Sequence, residues 1–146
     1  MVDLDREIWL RKISASGLEM IDGPPPGNVP SVLDAWKRVA SVETEPVVAI
    51  RQDHPDALSE VNRQWSLYAS ENGLFTNDGS FLISVAGRGS SKFGWARVKW
   101  SEECALAERL QDEGSPEFVG MSLDGRCICA VTTEECDYWI VVHRMV

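Results

Sequence analysis

The chain has 146 residues, of which 44% are hydrophobic and 25% charged, and 23 acids against 14 lysines and arginines give a formal net charge of −9. That length fits a single domain, and folding at this size buries about 70% of the unfolded surface, so neither disulfides nor a metal is needed to make up a core. The negative charge repels nucleic acid and anionic membrane and favours a cationic partner.

The first residues, Met1-Val2-Asp3-Leu4-Asp5-Arg6-Glu7, have neither the basic region nor the apolar stretch of a secretory signal. The longest apolar runs, such as Trp139 to Val142, are far too short to span a bilayer. The expected location is cytoplasmic, with all four cysteines reduced.

Asp3 to Ala15 reads as a helix with an imperfect apolar stripe of Leu4, Ile8, Leu10 and Ile13. Gly23-Pro24-Pro25-Pro26-Gly27 lacks the N–H groups for helix or inner strand and reads as a stiff polyproline-type spacer. A second helix starts at Ser31, whose hydroxyl can accept from the N–H of Asp34, and ends near Ser41. Val47 to Ile50 is a short β-branched run, hence a strand. A third helix opens at Pro55 and carries one stripe of Leu58, Val61, Trp65 and Tyr68. Asn72-Gly73 ends it.

From here the apolar period changes from about 3.6 to 2. Leu74 to Thr76, a turn at Asn77-Asp78-Gly79, and Ser80 to Ala86 read as a hairpin. Gly87 to Lys92 is a loop. Phe93 to Trp100 is a strand with Trp95, Arg97 and Lys99 on one face and Ala96, Val98 and Trp100 on the other. Ser101 caps a fourth helix that buries Leu106, Ala107 and Leu110 and ends near Gly114. A second meander follows: Phe118 to Leu123, a turn at Asp124-Gly125, Arg126 to Thr132, a turn at Thr133 to Cys136, and Asp137 to Met145. With Asp124 and Gly125 as the loop, Met121 pairs with Ile128 and Val119 with Ala130, while Gly120 and Cys129 share the opposite face. The last strand is apolar on both faces and should be central or covered.

The expected fold class is therefore α+β, a single domain over residues 1–146 with about four helices packed on a largely antiparallel sheet built from two β-meanders. The helical part spans 1–72 and includes the proline-rich connector 23–30; the sheet-rich part spans 73–146. The two meanders are alike enough to admit an internal duplication, and common enough in their Asp-Gly turns to admit chance.

No catalytic signature accompanies this pattern. The glycine- and serine-rich stretch Gly87 to Gly94 is followed by a strand, so it lacks the helix that a phosphate loop requires. Arg88, Lys92, Arg97 and Lys99 form its basic stretch. Cys127-x-Cys129, with Cys104, Cys136 and His143, has zinc-ligand types but not the usual spacing, and alternate strand residues read better as core thiols. His54 reads as a residue leading into a helix and His143 as part of a sheet face; a role for either in Cys–His catalysis needs an adjacency that spacing cannot supply. No cofactor and no metal site is expected. The six tryptophans, Trp9, Trp36, Trp65, Trp95, Trp100 and Trp139, read as core anchors, with one or two at an interface or pocket.

The charge is concentrated at one end. Residues 101–146 hold ten acids and three bases, residues 51–100 five and six, and residues 1–50 eight and five, giving −7, +1 and −3. The acids Glu102, Glu103, Glu108, Asp112, Glu113 and Glu117 cluster on and after the fourth helix, and Glu134, Glu135 and Asp137 at the last hairpin turn. Those nine are the candidate partner-binding residues. The leading expectation is a protein-binding inhibitor, such as an immunity protein or antitoxin that neutralises a basic toxin. Two alternatives stay open: a small-molecule-binding or regulatory module with a Trp-lined pocket, and an enzyme of unrecognised type using His54, His143 or the cysteines.

Overall fold

The computed structural model describes residues 4–41 and 43–144. The expected helix start at Asp3 and strand end at Met145 lie outside them. The first helix, α1 (Leu4–Ala15), has acids in its first turn and Lys12 in its last, which suits the helix dipole. Its buried face is Trp9 and Ile13, with Leu10 packed alongside, so the second half of the expected stripe holds and the first does not, for Leu4 and Ile8 are 68% and 59% exposed. The indole sets the rotation: it buries the most apolar area, and its N–H donates to the Val85 carbonyl at 3.0 Å.

After β1 (Glu19–Met20) the proline-rich connector is more than a spacer. It lies back against the protein, with Val29 and Pro30 against Gly125 and the Pro30 carbonyl accepting from the Trp95 indole at 2.9 Å. It delivers the chain to α2 (Val32–Val39), capped as expected by Ser31, whose Oγ accepts from Asp34 N at 3.1 Å. Next come β2 (Val48–Arg51) and α3 (Ala57–Glu71). The latter starts two residues beyond Pro55, because His54 Nδ1 accepts from Asp56 N (3.0 Å) and the His54 carbonyl from Ala57 N (3.1 Å), which fixes a turn there.

Residues 74–76 are not a strand. Leu74 N bonds the Ala69 carbonyl at 2.9 Å and Gly73 N the Ser70 carbonyl at 3.4 Å, with Gly73 at φ 76°, so these residues complete a Schellman motif. Leu74 is buried in the core beneath Trp65, and Phe75 stacks on Trp100 at 5.6 Å. The first expected meander therefore lacks its first strand, and the likeness between the two halves goes with it. The chain continues with β3 (Ser80–Val85), the single turn α4 (Ser90–Phe93), β4 (Ala96–Lys99), the single turn α5 (Leu106–Arg109), and a small hairpin of β5 (Gln111–Asp112) and β6 (Ser115–Pro116). The expected loop at Gly87–Lys92 thus gives way to a helical turn at its end, where Phe93 packs on Trp9 at 5.4 Å. The expected fourth helix shrinks because residues 101–105 are held elsewhere: Ala105 N bonds the Ser16 carbonyl at 2.8 Å. Then follow β7 (Phe118–Met121), β8 (Cys127–Thr133) and β9 (Asp137–Arg144).

The fold is mixed helix and sheet, with five helices among the described residues. Seven strands form one antiparallel sheet in the order β1-β4-β3-β7-β8-β9-β2, and β5 pairs with β6. The register of β7 on β8 is the expected one, Val119 with Ala130 and Met121 with Ile128, with Gly120 opposite Cys129. One face carries Phe81, Ile83, Val85, Phe118, Cys129, Val131 and Ile140 and is covered by α1, α3 and α5 through Trp9, Ile13, Val61, Trp65 and Leu106. The other carries Leu82, Trp95, Val119, Met121, Ile128, Ala130 and Val141 and is covered by Val32, Ala35 and Val39 of α2. So β9 is covered on both faces, which its double apolar pattern required. Eight residues of α2 cannot roof seven strands, and the uncovered end of that second face is where the sheet meets solvent.

Candidate functional site

Three tryptophans are core. Trp9, Trp65 and Trp95 are 5%, 1% and 7% exposed, and each indole N–H donates to a backbone carbonyl. Trp36, Trp100 and Trp139 are half-buried, and each lines a recess. Trp36 and Trp139 line the same recess at the C-terminal end of α2, of about 270 Å³, whose walls also include Val39, Thr132, Glu117 and Glu134.

The strand register builds this recess. Thr132 pairs with Trp139 across β8 and β9, and Phe118 pairs with Val131, so one step further Glu117 stands beside Thr132. Glu117 is held in place by Thr133 N, which donates to its Oε1 at 3.3 Å. Burial raises the Glu117 carboxyl above its ordinary value, and the charges of Glu134 and Asp112 push it further the same way. Glu134 is fixed through its backbone: its N–H donates to the Asp137 carbonyl at 2.8 Å, and its carbonyl accepts from Gln52 Nε2 at 2.6 Å. The Thr132 Oγ1 is buried without a hydrogen-bond partner among the described residues. Ser84 Oγ is a second such hydroxyl, on the same face and across from Val119.

The structure divides the nine candidate acids. It brings Glu117, Glu134 and Asp112 together, with Glu135 and Asp137 on the same turn as Glu134 and exposed Glu113 at the β5–β6 turn. It places Glu102, Glu103 and Glu108 elsewhere, on the side of α5. There Asn62 of α3 accepts from Ala107 N at 2.8 Å and donates to Glu108, and Glu102 lines a recess with Trp100. Among the described residues the ion pairs are Arg51–Asp53 and Arg63–Glu60, so none of the nine acids closes an ion pair, although Asp137 stands opposite Arg51 across β2 and β9 and feels its charge. Sequence reasoning expected one or two of the six tryptophans at an interface or pocket without singling out Trp36 and Trp139, and it missed Thr132. The turn expected at Thr133 to Cys136 would set Thr132 opposite Asp137, where the structure pairs it with Trp139, and nothing in the chain placed α2 over them.

The other sequence candidates are scattered. A wide polar groove of about 650 Å³ runs along the opposite flank of α2 past Lys37, Arg38 and His143, with Arg38 Nη1 3.5 Å from His143 Nε2. His54 is engaged in the turn before α3. Cys127 and Cys129 are buried, Cys104 is half-buried and Cys136 is exposed. Burial raises the Cys104 thiol, lifts Cys127 to about 11 and raises Cys129 well above the ordinary range, which holds these sulfurs protonated and unreactive near neutral pH. Among the described residues no group of three or more His, Cys, Asp or Glu side chains is arranged to hold a metal ion, and no helix is long and apolar enough to cross a membrane. Of the basic stretch, Arg97 and Lys99 lie on the α2 face of β4, where Lys99 pairs across strands with Glu19.

Compared with known proteins, the chain matches no family model, no curated sequence and no solved structure.

Proposed function

We propose that the protein is an acidic, protein-binding inhibitor of a basic partner, acting in the cytoplasm in the manner of an immunity protein or antitoxin. The observation that carries this reading is the set of nine acids, none of which closes an ion pair among the described residues and of which only Asp137 faces a cation, Arg51, across strands. Two of them, Glu117 and Glu134, line one recess whose walls include two half-buried indoles, and the charge of Asp112 reaches Glu117. Acidic surfaces of this kind steer association with a basic protein, and a half-buried Trp supplies the contact area of a binding hot spot.

The test is affinity capture at about 0.1 M and about 0.5 M salt, followed by titration of the purified captured protein against the wild type and a variant with Glu134, Glu135 and Asp137 changed to Gln or Asn. A basic protein held at 1:1 stoichiometry, weakened by salt and by the variant, supports the reading. Affinity indifferent to both would sink it. A second reading is a small-molecule module, favoured by the groove of about 650 Å³ beside Lys37, Arg38 and His143. A ligand that shifts tryptophan fluorescence without any protein partner would select it.

A further inference from the structure

The recess between α2 and the β8–β9 hairpin has the chemistry of a receptor for one side chain. Its volume of about 270 Å³ lies below the roughly 300–1,000 Å³ of pockets for drug-sized ligands. Its walls offer two indoles, Trp36 and Trp139, and two carboxylates, Glu117 and Glu134, with Thr132 also in the lining. Thr133 N occupies one oxygen of Glu117 and leaves the other to a ligand.

We infer that this recess takes an arginine side chain presented by the basic protein partner, with the guanidinium against the indoles and its N–H groups donating to Glu117 and Glu134. This rests on the protein-binding reading above. Arginine fits better than lysine for physical reasons. The guanidinium is planar, so it can stack on an indole while donating in its own plane to a carboxylate. It is also more weakly hydrated than an ammonium, so it loses less on entering a partly desolvated recess. The half-buried Glu117, raised by burial and by Glu134 and Asp112, is the carboxylate that gains most from a cation that completes it. The negative surface continues outside the recess through Glu135 and Asp137 on the same turn, which suits an arginine carried on a basic protein rather than a free small molecule.

The experiment uses the intact protein and capped tripeptides, acetyl-Gly-X-Gly-amide, where X is arginine, lysine or citrulline. The readouts are the indole N–H resonances of Trp36 and Trp139 and the backbone N–H of Thr133. The arginine peptide should shift all three, with lysine weaker and the uncharged, isosteric citrulline at least about tenfold weaker. Glu117→Gln keeps the Thr133 contact and the volume, and should weaken the arginine peptide by about tenfold while its melting temperature shows that it folds. Trp139→Phe should weaken it by a smaller factor. Equal binding of arginine and citrulline, no shift at the two indoles, or an unchanged affinity in Glu117→Gln would overturn the proposal. Free L-arginine binding more tightly than the capped peptide would overturn the protein-borne source. The two readings fail separately. If no protein is captured while the arginine peptide binds, the inhibitor reading falls and the recess stands; if a captured basic protein binds Glu117→Gln as it binds wild type, the recess falls.

Discussion

Replacing Gly120 by alanine pits two effects of known size against each other. Gly120 lies in the middle of β7, opposite Cys129. A methyl group there would sit 3.1 Å from Leu74 Cδ2, 3.3 Å from the Cys129 carbonyl and 3.3 Å from the six-membered ring of Trp65. Alanine lowers the freedom of the unfolded chain and so stabilises by about 0.4–1 kcal/mol where it fits. Overpacking a filled core costs about 1–3 kcal/mol. Which wins depends on whether the neighbours can move. Trp65 cannot: its N–H is bonded to the Cys129 carbonyl at 3.0 Å, and the rings of Phe75, Phe81 and Phe118 lie 5.6–5.8 Å away around it. Leu74 is fully buried and held by the helix cap. The net expectation is a loss of about 1–2 kcal/mol, or roughly 3–8 °C in Tm for a chain of this size. Thermal melting by circular dichroism reads it, and Trp65 emission should change with it. A Tm within about 1 °C of wild type would refute both the register and the immobility of Trp65. Because Gly120 faces the core opposite α2, binding at the Trp36–Trp139 recess should persist.

Further outcomes follow from the same geometry. Glu117 binds its proton more tightly in the folded chain than in the unfolded one, so its contribution to stability is fully present below the ordinary carboxylate range and is lost as pH rises through the raised value. The charges facing it are Glu134 and Asp112, both of the same sign. Glu117→Gln should therefore melt level with wild type near pH 4 and above it at pH 7, while binding a cationic partner less well; a variant that melts lower at pH 7 would contradict this. Trp95→Phe deprives the Pro30 carbonyl of its donor and should cost about 0.5–1.5 kcal/mol, with faster proteolysis within residues 23–30 than in wild type. In a thiol-labelling time course at pH 8, Cys136 should react first and Cys104 next, with Cys127 and Cys129 reacting only on unfolding.

The sequence was most readable where a single local rule governed the chain. Asp124-Gly125 between alternating residues determined the β7–β8 register to the residue, and Ser31 with Asp34 marked the start of α2. It misled where apolar residues served something other than the pattern they resembled. Leu74 and Phe75 read as a strand but act as the hydrophobic end of a helix cap and a stacking partner for Trp100. The acids after Ser101 read as the first turn of a long helix, yet the segment is tied to the end of α1 through Ser16 and passes within a methyl's reach of Gly17, whose added Cβ would lie 2.8 Å from Cys104 Cα. The rotation of α1 was misread because the stripe ran through Leu4 and Ile8 and left out Trp9. In the recess, Glu117 follows from the β7–β8 register, but the turn expected at Thr133 to Cys136 would set Thr132 opposite Asp137 where the structure pairs it with Trp139, and Trp36 arrives on a helix whose seat is fixed by the connector and by Val32, Ala35 and Val39. Long-range placement of that kind leaves no local trace.

The strand order has a consequence for synthesis. Glu19 pairs with Lys99, and Ala49 with Trp139, so the two edge strands of the sheet come from the first third of the chain while the strands they need are made much later. α3 likewise waits for β8 to cover Trp65. While the ribosome is still extending the chain, Val47–Ile50 and the apolar side of α3 have nothing to close on, and loop closure over such spans slows folding. The nascent protein should therefore depend on chaperones until β9 has emerged, and the emergence of β9, not the appearance of the helices, should mark the moment at which it becomes protease-resistant.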